Sequence, residues 1–143
     1  MYKIYSYRVK VLESDVDANG HANNVCHLRW MNLAAVEHSR ANGWSPERYV
    51  ELGITWFARR HTIDYLVPAM NGDELEVQTW VCELKVVRSI RKYRFIRISD
   101  GVIIGEAETL WAFVNLKTGR PTKIPNEVSD CFIVTENPKN KKS

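Results

Sequence analysis

Cysteine is scarce in this chain, and long apolar runs are missing. Cys26, Cys82 and Cys131 are odd in number, widely spaced and form no Cys-x-x-Cys pair. Neither a disulfide framework nor a zinc site is indicated. No stretch approaches the roughly 18 apolar residues that a membrane helix needs. The opening segment from Met1 to Lys10 holds no apolar run of the signal-peptide kind. A reduced, soluble, cytoplasmic protein is the expectation that fits these absences. A strong excess of one charge is missing too. The formal net charge is +3, and the excess sits in the three Lys of the last seven residues. Without that tail 17 basic groups face 17 acidic ones, so a nucleic-acid partner is not expected. Repeats, low-complexity blocks and internal linkers are also absent. Residues 1–134 read as one domain, followed by a solvated basic tail over 135–143.

What is present reads as an α+β pattern. Residues 2–12 are β-like, and 13–23 form a loop rich in Asp, Asn and Gly. Residues 24–42 read as a helix, with Val25, Leu28, Met31, Ala35 and His38 marking its apolar face. Asn23 or Asn24 caps its start and Gly43 ends it. Ser45-Pro46-Glu47-Arg48 starts a second, short helix. Strands follow at 54–66, 73–86, 89–99 and 102–115. Leu75, Val77, Thr79 and Val81 alternate with Glu74, Glu76, Gln78 and Trp80, which predicts a strand with one wet face. Asp100-Gly101 predicts a two-residue hairpin. Gly105 and Ala107 are small enough to admit a helix close to the last strand. A long helix beside a four-strand meander suggests a sheet wrapped around that helix, with open edges that a homo-oligomer would cover.

The densest polar cluster, Ser14 to Asn24, sits between the first strand and the long helix. A helix N-terminus offers free N–H groups and the positive end of a dipole, which can polarise a carbonyl. A carboxylate just upstream can attack that carbonyl or activate water against it. Such a pair performs acyl transfer without Ser, Cys or metal. The competing reading is plain turn chemistry, in which Asp and Asn only shape the loop and cap the helix. Calcium fits poorly, because the twelfth position counted from Asp15 is Cys26 where a bidentate Glu is needed. A zinc site built from Asp17, His21 and His27 is no better supported, and no metal or cofactor is expected.

The motif Asp15-x-Asp17-x-x-Gly20-His21-x-Asn23-Asn24, followed by Leu28-Arg29-Trp30, resembles the thioesterase branch of the hotdog superfamily. That branch includes the 4-hydroxybenzoyl-CoA thioesterase-like hydrolases and, more distantly, the plant acyl-ACP thioesterases. The likeness continues through Arg59 to Tyr65 and Pro68 to Asp73 and spans roughly residues 5–126. The resemblance implies an antiparallel five-stranded sheet around one long central helix. It also implies sites shared between the chains of a homodimer or homotetramer, and hydrolysis of an acyl-CoA or acyl carrier protein thioester. Asp17 then matches the catalytic carboxylate, as nucleophile or general base. Asn19 and His21 match the accompanying motif positions, and Asn24 lies where the carbonyl-polarising amide falls. The sequence departs from the family in having His27 where Tyr is common and Asn32 where relatives often carry a carboxylate. Glu37 lies just over a turn further on. Two other readings remain open. One is an acyl-CoA-binding relative without turnover. The other is a hotdog hydratase, although the His expected five residues after Asp17 is replaced by Ala22.

Substrate contacts are assigned to His27, Arg59, Arg88, Arg91 and Lys92. Arg88, Arg91 and Lys92 read as a basic group around a β-turn, suited to CoA phosphates. Arg59 and Arg60 read as neighbours on opposite strand faces. His38 and His61 read as structural, while Trp30 and Trp56 are placed to shape an acyl tunnel.

Overall fold

The computed structural model describes residues 3–135. The residues from 136 onward, most of the expected basic tail, lie outside the described range. Along the chain come β1 (Tyr5–Lys10), α1 (Asn24–Ala41), α2 (Pro46–Glu51), β2 (Ile54–Tyr65), β3 (Glu74–Leu84), β4 (Arg88–Arg97), β5 (Ile103–Asn115) and α3 (Asn126–Ser129). The five strands form one sheet in the order β1-β3-β4-β5-β2, and every neighbouring pair is antiparallel. This α+β sheet with its long helix is the expected hotdog arrangement.

Helix α1 begins where the sequence places it. The Asn23 side chain accepts the Val25 amide at 3.0 Å, and Gly43 follows the helix at φ +97°, a conformation that costs a glycine little. Ser45 caps α2 by accepting the Arg48 amide at 3.1 Å, with Pro46 at the first helical position.

The face that α1 buries agrees with the expectation at Met31, Ala35 and His38 and differs from it at Val25 and Leu28. Val25 is 68% exposed and Leu28 only half-buried, whereas Cys26, Trp30, Met31, Ala34, Ala35 and His38 are buried. The capped start fixes the helical phase, and small residues plus one Trp carry the inward stripe. Trp30, Met31 and Ala34 pack with Leu75, Val77, Tyr93 and Phe95 in one core cluster. A second cluster gathers Trp44, Tyr49, Phe113, Ile124, Val128 and Phe132.

On β3 the alternation holds for Leu75, Val77, Thr79 and Val81, all buried. The opposite face is not wholly wet, because Trp80 is only 4% exposed. The Arg94 guanidinium of the neighbouring strand lies 5.3 Å over its ring, a cation–π cover on the outer side of the sheet.

The hairpin at Asp100-Gly101 also differs. Arg97 and Val102 are bonded across a four-residue loop (Arg97 N to Val102 O, 2.9 Å) rather than a two-residue one. Asp100 stabilises the loop by taking the Arg97 guanidinium at 2.7 Å and the Val102 amide at 3.1 Å.

Gly105 is needed for close approach, but not to the helix. A Cβ there would stand 3.1 Å from the Phe95 ring and 3.3 Å from the Asp64 carbonyl oxygen. Phe95 is fully buried and the carbonyl is backbone, so neither yields freely. Gly105→Ala is therefore expected to destabilise the protein by about 1–3 kcal/mol, read as a lower midpoint in urea unfolding. An unchanged midpoint would show that the ring moves aside at no cost.

Candidate active site

The loop ahead of α1 is pinned at several points. The Val11 amide donates to Asp73 O at 2.8 Å, and the Gly72 amide donates to Val11 O at 2.9 Å. Further on, the Ala22 amide donates to Ala69 O at 2.7 Å, and bridges join Val16 to Ala22 and His21 to Met70. The loop is thus sewn to the segment between β2 and β3.

Asp15, buried in this loop, connects it to the helix. One carboxylate oxygen accepts the Leu12 amide at 2.9 Å and the other takes the Arg29 guanidinium at 2.8 Å. Its backbone carbonyl accepts the Asn23 amide at 2.8 Å. The Leu12 amide, helped by Arg29, holds the Asp15 carboxyl below its ordinary pKa.

Asp17 has a different setting. It is exposed, and its backbone closes a tight loop: the Asp17 amide donates to His21 O and the Gly20 amide donates to Asp17 O, each at 2.9 Å. Its Oδ1 accepts the Asn19 amide at 2.9 Å and the His21 amide at 3.4 Å. The turn reading is therefore observed, and it is compatible with chemistry, since both amides use Oδ1 and no hydrogen bond among the described residues occupies Oδ2. Asn19 is exposed and His21 half-buried in the same loop.

Asn24 is the first residue of α1. The Val25 amide is taken by the Asn23 cap and the Cys26 amide by Asn23 O at 2.9 Å. Among the described residues no acceptor meets the Asn24 amide. That free donor is the group the sequence reading required.

His27 lies one turn into the helix and is 3% exposed. Its ring meets Tyr65 edge-on at 4.8 Å, Phe95 at 5.2 Å and Trp30 at 5.0 Å. Burial pushes its pKa down, partly offset by the nearby Asn23 and Asn24 backbone, and its Nδ1 meets no partner at hydrogen-bond geometry. Tyr65, at the end of β2, also donates its hydroxyl to Asn24 O at 3.4 Å. Sequence reasoning missed Tyr65 as a site residue. The signal was available, since it closes the Arg59–Tyr65 segment that carries the family likeness.

The basic residues do not form the expected group. Arg88 starts β4, is exposed and lies 3.7 Å from Glu83. Lys92 pairs with Glu108 at 3.9 Å. Arg91 is inside the protein at 6% exposure, bonded to His38 and Thr79, so it cannot meet a phosphate at the surface. The reason is strand parity: Ser89, Arg91, Tyr93 and Phe95 share the buried face of β4. Arg59 is exposed but is the extra residue of a bulge between Ala58 and Arg60, so simple alternation with Arg60 is interrupted. His61 bonds Thr109 at 2.8 Å. Among the described residues no group of three or more His, Cys, Asp or Glu is placed to hold a metal ion. No described helix is long and apolar enough to cross a membrane.

Residues 11–132 match the thioesterase-like superfamily. The chain is similar to an acyl-CoA thioesterase, YbgC, of Haemophilus influenzae, at 27% identity over 90% of this chain and 93% of that one. It is also similar to the acyl-CoA thioester hydrolase YbgC of Escherichia coli, at 22% identity over 87% and 92% of the two chains. Among solved structures, a 1,4-dihydroxy-2-naphthoyl-CoA thioesterase from Synechocystis superposes with a TM-score of 0.84, at 18% identity over 94% of this chain and 99% of that one.

The Asp15 contacts give a testable pH dependence. Its carboxyl is lowered by folding, so its contribution is complete above the ordinary carboxylate pKa of about 3.9 and is lost as pH falls below it. Asp15→Asn should lower stability at neutral pH and flatten the acid limb of the stability profile. Parallel acid limbs for the two proteins in urea titrations would contradict this.

Proposed function

Because the chain belongs to the thioesterase-like superfamily, we propose that it is an acyl-CoA thioesterase whose reaction is carried by Asp17. The observation that carries this reading is the pairing of an exposed Asp17 carboxylate with the unbonded first amide of α1, at Asn24. Nucleophile or base and carbonyl-polarising donor lie on one pinned loop.

In this mechanism the thioester carbonyl oxygen approaches the Asn24 amide, where the helix dipole stabilises the developing negative charge. Asp17 Oδ2 then acts in one of two ways. It removes a proton from water as the water attacks, or it attacks directly to give a mixed anhydride that water cleaves. Either route adds one water, breaks the carbon–sulfur bond and yields the free acid and the thiol. The Asn19 and His21 amides hold Oδ1 and so aim Oδ2. His27 and Tyr65 wall the site beneath the helix start. Exposed Arg59 and Arg88, with Lys92, are the cations offered to CoA phosphates. The acyl-CoA names of the two YbgC relatives favour CoA over acyl carrier protein as the thiol carrier. A second copy of the chain is proposed to complete the site. Strand β2 is a long open edge beside which Phe57 is 57% exposed, and such an edge calls for a cover.

Asp17→Asn should lower kcat by about 100-fold or more while leaving the circular dichroism spectrum and the unfolding midpoint near those of the parent. The assay is thiol release across short, long and aromatic acyl-CoAs, repeated with acyl carrier protein thioesters. A variant that keeps more than about a tenth of the parent rate would remove Asp17 from the mechanism. Binding without turnover across the whole panel would assign the chain to the non-catalytic relatives. In a single turnover in oxygen-18 water, label in Asp17 identifies the anhydride route with water attacking the Asp17 carbonyl, since the general-base route never opens that carboxyl.

A further inference from the structure

Arg91 takes no part in the proposed reaction, and its surroundings are unusual for a guanidinium. It lies on the buried face of β4 at 6% exposure. One nitrogen, Nη1, donates to His38 Nδ1 at 2.9 Å and to Thr79 Oγ1 at 3.1 Å. Both acceptors are neutral, since a guanidinium only donates and His38 must present a lone pair to it. Among the described residues no carboxylate pairs with Arg91. A buried cation held only by neutral acceptors has given up hydration that such bonds restore in part.

The same side chain forms part of the wall of a cavity of about 170 Å³. Ser39, Trp44, Tyr49, Trp56 and Phe132 supply much of the remaining wall. Aromatic surface therefore surrounds a single positive charge. A cavity of about 150 Å³ accommodates a benzene ring, so the space suits one ring or a short alkyl segment. It is also far from the helix start. Ser39 follows Asn24 by fifteen residues of α1, which is roughly 22 Å along the axis at the helical rise.

We propose that this cavity is a binding site for a carboxylate on a short apolar or aromatic body, with Arg91 as its charged contact and the aromatic wall enclosing the body. Two sources carry that chemistry. One is the distal acid of an acyl chain long enough to run the length of α1, with only its last carbons in the cavity and its thioester at the other end of the helix. The other is a free carboxylic acid held apart from the reaction.

The test uses the full-length protein and the tryptophan fluorescence of Trp44, Trp56 and Trp111, all of which line the cavity. Phenylacetate is titrated beside phenylacetamide, which has the same shape without the charge. The acid should bind at least about tenfold tighter, as expected for a charged hydrogen bond, and Arg91→Met should erase the difference. Equal affinities for acid and amide, binding of neither, or a preference that survives in Arg91→Met would each overturn the proposal. Should Arg91→Met fail to fold, the wild-type protein decides alone. Phenylacetate then raises its melting temperature and phenylacetamide does not, and the absence of that contrast refutes the site.

The sources are separated by comparing hydrolysis of octadecanedioyl-CoA and stearoyl-CoA, chains long enough to run the length of α1. A lower KM for octadecanedioyl-CoA that disappears in Arg91→Met identifies the distal acid of the substrate. Equal KM values beside tight phenylacetate binding identify a free acid. Only this arm rests on the proposed thioesterase activity; the binding arm stands or falls without any turnover.

Discussion

The carboxylate of Asp15 has two oxygens, and each meets a different stretch of chain. One fixes the Leu12 amide where β1 has ended, and the other fixes Arg29 in the second turn of α1. Its own carbonyl takes the Asn23 amide, and the Asn23 side chain caps the helix. A single buried residue thereby sets where α1 begins and at what rotation. The rotation decides that Trp30, Met31 and Ala34 face the sheet and that Val25 faces water. The starting point decides that the Asn24 amide is left without a partner. Asp15, which the sequence places in the same motif as Asp17, is the anchor for that neighbour. A buried carboxylate meeting both a cation and an amide keeps its charge, and this constraint fixes the loop ahead of α1.

Much of this architecture was legible in the sequence, because strand alternation and end signals are local. Leu75, Val77, Thr79 and Val81 announced the buried face of β3, and Asn23, Gly43 and Ser45 announced helix ends. The misses share a physical origin in contacts between distant residues. Trp80 is buried on the outer face only because Arg94 of the next strand lies over it. The inward stripe of α1 was read in part, at Met31, Ala35 and His38, while Cys26, Trp30 and Ala34 take the places expected of Val25 and Leu28. Arg91 was grouped by charge with its neighbours, although the parity of β4 already placed it on the face of Tyr93 and Phe95. Asp17, Asn19, His21 and Asn24 could be grouped from the sequence because they lie close along the chain, whereas Tyr65 reaches Asn24 from a strand forty-one residues further on.

The two ends of α1 have contrasting chemistry. Its N-terminal end presents the unbonded Asn24 amide near a buried His27, its pKa lowered by burial and its ring enclosed by aromatic rings. Towards its C-terminal end it meets Arg91 through His38, beside an aromatic-walled space. The same sheet serves both. Phe95 packs against His27, and on the same face of β4 Tyr93, two residues earlier, leads to Arg91, four residues earlier. Polar groups buried along one helix thus divide the interior into two regions, one per core cluster.

The bulge at Arg59 has an effect beyond the side chains it re-aims. Strand β2 is twelve residues long and forms an edge of the sheet. A straight edge of that length is a template on which strands from any unfolded neighbour can zip without limit. An extra residue part-way along bends the ladder and breaks its spacing. Only a strand with a matching bend completes the pairing, and growth then stops. The irregularity thereby makes the edge a poorer template for indiscriminate strand pairing.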